Sequence, residues 1–203
     1  MRLMIFILGL FLSSVSFAFS EADLVKQLQQ PQSVQGNFIQ HRYLKALNKP
    51  IEMQGQFALL AQKGLLWQLE KPFNNSLRVT PNGIQQWNGT QWVNSGNVGQ
   101  NEQIGLFLGL LSGNIDRLKS QFDFALSGNA NQWQLTLTPN SLLMQQIFTT
   151  IEISGDQTVK KLTLNEKQGD RTQIEFKQIQ LNTAYNKESA VVFFIFYNRL
   201  FQR

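Results

Sequence analysis

Cysteine is absent, histidine occurs once, and Asp, Glu, Lys and Arg together make up only 15% of the residues. Without cysteine the chain can form no disulfide and carries no lipid-modified cysteine, so its core must hold together unaided. The single histidine, His41, sits between Gln40 and Arg42 with no serine or cysteine motif around it, whereas nucleophilic catalysis needs a base beside its nucleophile. Metal sites need clusters of His, Cys or carboxylates, and the sequence shows no such spacing. Asp116, Asp123 and Glu152 each stand alone, so a paired-carboxylate hydrolase has no obvious pair. Gly105 and Gly109 lack the following Lys-Ser/Thr of a phosphate loop. The expectation is a protein without catalytic residues, metal or cofactor. The formal net charge is +5, yet the positive charges are scattered and the longest basic run is Lys160-Lys161. A nucleic-acid surface would gather them into a patch or stripe, so nucleic acid is not expected as a partner.

What is present begins at the N-terminus. Arg2 precedes an apolar run from Leu3 to Leu12, and a small-residue stretch ends at Ser16-Phe17-Ala18. This is the pattern of a secretory signal peptide over residues 1–18, with a single domain over 19–203. Ser20 to Asp23 reads as a capping box opening a helix whose apolar face is Leu24, Val25 and Leu28, and Pro31 ends it.

Beyond Pro31 the apolar period becomes two. Val34, Gly36 and Phe38 share a face, as do Met53, Gly55, Phe57 and Leu59, then Leu65, Trp67 and Leu69, then Leu77 and Val79. GIQQW and TQWV flank Asn88-Gly89, a hairpin signal. Further strands are read in FDFALSG, NQWQLTLTP, TIEISG, VKKLTLNE and DRTQIEFKQIQLN, with SLLMQQIF as a short helix between two of them. The class is mainly β (α+β), with about ten antiparallel strands, short turns and no βαβ rhythm.

That pattern argues for a barrel or a sandwich, and one segment stands apart from it. After the polar run NSGNVGQNE, Ile104 to Leu111 has no polar side chain and includes Gly105 and Gly109. As a helix it rises only ~12 Å, far short of the ~30 Å of a bilayer core, so it cannot span a membrane.

In order along the chain, QSVQGNFIQ after a helix, GQFALLAQKGLLW followed by KPF, the hairpin LRVTPNGIQQW, and GLFLGLLSGN after a polar loop resemble the periplasmic outer-membrane lipoprotein carrier family, LolA, over about residues 21 to 182. The two apolar helical segments look most like a stand-alone branch associated with export of lipids or aryl polyenes. The resemblance implies an incomplete antiparallel β-barrel with helices covering its open mouth. It implies a hydrophobic cavity that takes up acyl chains of a lipidated protein or other lipid cargo. An inner-membrane exporter as donor, an outer-membrane acceptor, a monomeric carrier and a periplasmic location follow from the same resemblance. The alternative is a periplasmic lipid-sensing module acting on a membrane partner.

Under this reading the cavity is lined by Phe38, Phe57, Leu66, Trp67, Leu69, Trp87, Leu106, Phe107, Leu110, Trp133, Met144 and Phe148. Lys63, Gly105, Gly109 and Leu111 belong to the lid or gate, Lys63 standing nearest to an arginine of the family and Gly64 replacing its proline. A shift of one residue in strand phase would move a side chain from the cavity to the outer face. The sequence ends in a nearly continuous apolar run, Ala190 to Tyr197, followed by basic residues, which departs from the family pattern.

Overall fold

The computed structural model describes residues 19–61, 63–80, 83–94, 109, 111 and 115–182. Helix α1 (Glu21–Gln29) is followed by β1 (Ser33–Tyr43), β2 (Ile51–Leu60), β3 (Gly64–Lys71), β4 (Asn75–Thr80), β5 (Gly83–Trp87) and β6 (Trp92–Asn94). Then come α2 (Asp116–Lys119), β7 (Phe122–Asn129), β8 (Gln132–Pro139), α3 (Leu142–Ile147), β9 (Phe148–Gly155), β10 (Val159–Glu166) and β11 (Arg171–Leu181).

The eleven strands form one antiparallel sheet in the order β6-β5-β4-β3-β2-β1-β11-β10-β9-β8-β7. The sheet is therefore two meanders joined where β1 pairs with β11. Its two edges, β6 and β7, are not paired with each other, so the barrel is incomplete, as expected. The expected strand runs all appear, and the described residues hold eleven strands where about ten were expected. Residues 95–121, which hold the apolar segment, connect one open edge to the other.

The capping box at α1 is present in full. Asp23 N–H donates to Ser20 Oγ at 3.2 Å, while Ser20 N–H donates to the Asp23 carboxylate at 3.0 Å. Leu24 and Leu28 leave the same helix face and are buried against the sheet. The Gln27 side-chain amide donates to the carbonyls of Ala130 and Asp156, which tie α1 over the β7–β8 and β9–β10 turns. Lys119 reaches Glu21 at 3.1 Å and holds α2 beside it.

Alternation then decides the two faces of the sheet. The inner face carries Val34 and Phe38 from β1, Phe57 and Leu59 from β2, Leu65 from β3, and Ile174 and Phe176 from β11. Trp133, Leu135, Leu137, Ile151, Ile153 and Leu162 continue it through β8, β9 and β10. Two glycines on this face make room for rings. A Cβ on Gly55 would come within 2.8 Å of the Phe38 ring, and one on Gly155 within 2.6 Å of the Trp133 ring. Close backbone approach of this kind is a reason for glycine inside a strand.

The turns differ in detail from their sequence signals. Asn88-Gly89 opens a four-residue connection, 88–91, rather than a two-residue hairpin. The Asn88 carboxamide oxygen accepts from the backbone N–H groups of Thr90 and Gln91, an Asx turn that sets this longer loop.

Candidate functional site

Among the described residues, the inner face of the sheet carries the buried core of large apolar side chains. Phe38, Phe57, Trp67 and Phe176 form one aromatic cluster on β1, β2, β3 and β11. Phe38 and Trp67 are stacked with ring centres 3.7 Å apart. Phe57 meets Phe176 edge to face at 5.0 Å, and Trp67 meets Phe176 the same way at 6.3 Å. The two edge-to-face pairs have a favoured ring geometry, and the four rings together make one continuous aromatic wall. Leu69, partly buried, packs on the same core.

The opposite half of the concavity is walled by Trp133, Met144 and Phe148, all buried. Trp133 Nε1 donates to the Asp156 carbonyl at 2.5 Å, which satisfies its polar atom and fixes the ring. Met144 lies on α3, where Ser141 caps the helix by accepting from Met144 N–H at 3.3 Å.

The concavity is occupied by the chain itself. Leu24 and Leu28 of α1, together with Leu111, Ile115 and Leu118, are buried in the same cluster as the sheet residues. Among the described residues, a space of about 10 Å³ is lined by Leu28, Val34, Phe57, Leu59, Leu111, Thr158 and Val159. That is about the room one water needs. The wall is apolar except for Thr158, whose hydroxyl is buried without a hydrogen-bond partner.

Two candidates face away from this site. Leu66 pairs with Ala58 and Arg78, between inner-face neighbours Leu65 and Trp67, and so lies on the outer face although it is buried. Trp87 is in phase with Gln85, not with Ile84, and is also on the outer face. There it meets Trp92 edge to face at 5.6 Å, and the Arg78 guanidinium lies 4.6 Å from the Trp92 ring centre. Arg78 Nε donates to Gln85 Oε1 at 2.6 Å, and partial burial lowers its pKa from the usual value. Both displacements come from strand phase: in GLLWQLE two adjacent leucines compete for the inner face, and in GIQQW the apolar residue that turns inward is Ile84.

Of the lid residues, Gly109 and Leu111 are helical, and Leu111 is buried. Lys63 is exposed in the β2–β3 turn, with its N–H donating to Leu60 O at 3.1 Å. The adjoining Gly64 has φ +133°, and a Cβ there would run into the Val79 carbonyl, so only glycine fits. Gly105, Leu106, Phe107 and Leu110, like residues 1–18 and 190–203, lie outside the described residues.

Phe176, Leu59, Val159 and Leu28 belong to the site but were not singled out from sequence. Phe176 had a readable signal, the alternation Thr172, Ile174, Phe176. Among the described residues no three His, Cys, Asp or Glu side chains are grouped to hold a metal, and no helix is long and apolar enough to cross a membrane.

A family model described as outer membrane lipoprotein carrier protein LolA matches residues 29–189. A search of curated proteins finds no match. Among solved structures, a chain of the MucA/MucB complex of Pseudomonas aeruginosa aligns at 16% identity, covering 82% of this chain and 57% of that one, with TM-score 0.50. A LolA superfamily protein from Nitrosomonas europaea aligns at 10% identity over 84% of this chain and 96% of that one, with TM-score 0.46. Lipoprotein LppX of Mycobacterium tuberculosis aligns at 12% identity over 82% of this chain and 99% of that one, with TM-score 0.40. The chain spans less than two thirds of the MucA/MucB structure's matched chain, and at such identities the likeness is one of fold.

Proposed function

The chain belongs to the family of the outer membrane lipoprotein carrier protein LolA, and from that premise we propose that it is a periplasmic carrier of acyl chains. Residues 1–18 direct export, and residues 19–203 act as a single domain. The cargo is a lipidated protein or a lipid-like molecule, taken from an inner-membrane donor and moved toward an outer-membrane acceptor without chemical change.

The observation that carries this reading is an apolar concave face closed by the chain's own helical side chains rather than by sheet pairing. An acyl chain entering against Phe38, Phe57, Trp67, Leu69 and Phe176 has to displace Leu111, Ile115 and Leu118, or Leu24 and Leu28 of α1. Full burial of a Leu or Phe is worth ~1.5–3 kcal/mol, so self-contacts are exchanged for cargo contacts at little net cost. Uptake and release then both stay accessible, which is what a carrier requires. Trp133, Met144 and Phe148 form the far wall. Lys63, in the turn at the same end of the sheet as α1, stands where a polar head group would remain outside.

The direct test is mass spectrometry of organic extracts of the chain, purified from the periplasm without detergent, with titration of a fluorescent fatty acid. Stoichiometric acylated material or saturable probe uptake is expected. A ligand-free protein that takes up no probe refutes the carrier reading. A second reading, a lipid-sensing module acting on a membrane protein, is favoured by the fold likeness to a chain of the MucA/MucB complex. In that case lipid would alter affinity for a protein partner instead of being handed on.

A further inference from the structure

The exposed large apolar side chains are not scattered. Among the described residues, Leu47, Ile51, Phe73, Leu142 and Leu143 lie at the end of the sheet opposite α1, and Val93 follows the β5–β6 connection at that same end. That end is built from the β1–β2, β3–β4, β5–β6 and β10–β11 connections together with α3. Phe73 is 77% exposed and Leu142 is 81% exposed. Exposed apolar side chains grouped at one end, rather than scattered singly, mark an interaction surface.

The loops that carry them are joined into one rim. Lys45 N–H donates to Asp170 Oδ1 at 2.9 Å, linking the β1–β2 loop to the β10–β11 loop. Lys167 N–H donates to the Ile147 carbonyl at 2.9 Å, linking the β10–β11 loop to α3. Lys71 pairs with Gln54 and places Phe73 beside the start of β2.

Lysines stand beside the protruding apolar side chains of this rim. Lys45 and Lys49 flank Leu47, Lys71 precedes Phe73 by two residues, and Lys167 adjoins α3. Acidic groups also lie at this end, each with a hydrogen-bonding or ion-pair partner, and Asp123 accepts from the Asn140 side chain. Asp170 accepts from Lys45 N–H, Glu52 faces His41 at 3.3 Å, Glu166 lies 3.9 Å from Arg42, and Glu70 accepts from Gln56. Protruding single apolar side chains among lysines, rather than a contiguous groove, fit a surface that is soft, apolar beneath and anionic above.

We propose that this rim docks the protein on anionic bilayers, with Phe73, Leu142, Leu143 and Leu47 entering the interface and Lys45, Lys49, Lys71 and Lys167 meeting lipid phosphates. The docking end is opposite the α1 end of the concavity. It goes beyond carriage of acyl chains, and a carrier without it would still take up probe.

The test is co-sedimentation of the purified chain, its N-terminus read by intact mass, with vesicles of phosphatidylethanolamine and phosphatidylglycerol in equal parts. Pure phosphatidylcholine vesicles serve as the control. Salt-sensitive binding to the anionic vesicles is expected. Lys45→Glu with Lys49→Glu should weaken it by at least about tenfold. Phe73→Ser with Leu142→Ser and Leu143→Ser should weaken it by about tenfold or more. Both variants alter exposed positions, and unchanged fatty-acid probe uptake shows that they fold. Absence of vesicle binding by the parent chain overturns the proposal. So does undiminished binding by both variants, which would place membrane affinity elsewhere in the chain. Capture of a protein through the rim without any lipid binding overturns it as well.

Discussion

Leu111→Ala separates a cover that cargo must displace from ordinary core. Leu111 is 8% exposed and borders the small apolar space together with Leu28, Val34, Phe57, Leu59 and Val159. Core Leu→Ala changes cost about 2–5 kcal/mol. Leu111 adjoins existing open space, so the lower end, about 2 kcal/mol, is the appropriate magnitude. If the helical segment bearing Leu111 must leave before an acyl chain enters, the apparent Kd equals the intrinsic Kd divided by the fraction of open protein. Weakening the closed form by about 2 kcal/mol then raises the open fraction, and tightens apparent binding, by about 30-fold. Fluorescent fatty-acid titration reads the affinity, and urea unfolding reads the stability. Leu137→Ala, at a fully buried strand position, is the control. It should lose stability without gaining affinity. If Leu111→Ala behaves like Leu137→Ala, the competition between cover and cargo does not exist and the reasoning fails.

Three further outcomes can be measured with the same preparations. Trp67→Ala should weaken probe binding several-fold because it removes the centre of the aromatic wall, whereas Trp87→Ala, on the outer face, should leave binding unchanged; equal effects would contradict the assignment of faces. Thr158→Val should stabilise the closed protein by about 1 kcal/mol, since it removes a buried hydroxyl that has no partner, and a fall in urea midpoint would count against this. The Asp23 carboxylate is held below the usual range by hydrogen bonds from the Ser20 hydroxyl and then its backbone N–H. A depressed folded-state pKa adds stability that is full above about pH 4 and is lost as pH falls through the lowered value. Asp23→Asn should therefore flatten the acid limb of the helix signal in circular dichroism below pH 4, and an unchanged limb would show that the capping box contributes nothing there.

Much of this architecture was readable from local patterns because two periodic rules govern it. Ser20 and Asp23 mark a helix start by chemistry that needs no tertiary partner, and the α1 apolar face follows from spacing alone. Most strands appeared as an alternation, and the inner positions Phe38, Phe57, Trp67 and Trp133 were found where alternation was clean, while Phe148, read as the end of a short helix, instead begins β9. Alternation failed where two apolar residues adjoin, as at Leu65-Leu66, because both faces are then plausible and only cross-strand pairing decides. It failed again at Trp87, where size outweighed phase: the smaller Ile84 holds the inner position, and the tryptophan packs beside Trp92 on the outer face. The participation of Leu28 and Val159 was hidden for another reason. They meet only because α1 is tied across two distant turns through Gln27, a contact with no sequence periodicity.

The same contact bears on how such a carrier could open. The sheet is continuous from β6 to β7, so its inner wall is fixed by backbone pairing and does not need the helices for its shape. By contrast, the described contacts that hold α1 on the sheet include the Gln27 side chain, the Lys119–Glu21 pair and the burial of Leu24 and Leu28. The surface ion pair adds at most about 1 kcal/mol, so apolar burial dominates what keeps the cover closed. An acyl chain offers the same kind of burial to the same residues. For the acyl carrier proposed above, selection would then rest on the balance between two sets of hydrophobic contacts. Gln27 is the place where that balance can be shifted without touching the cavity. Gln27→Ala should tighten probe binding by loosening α1 while leaving the aromatic wall intact, and weaker binding would mean that α1 forms part of the acyl site instead of covering it.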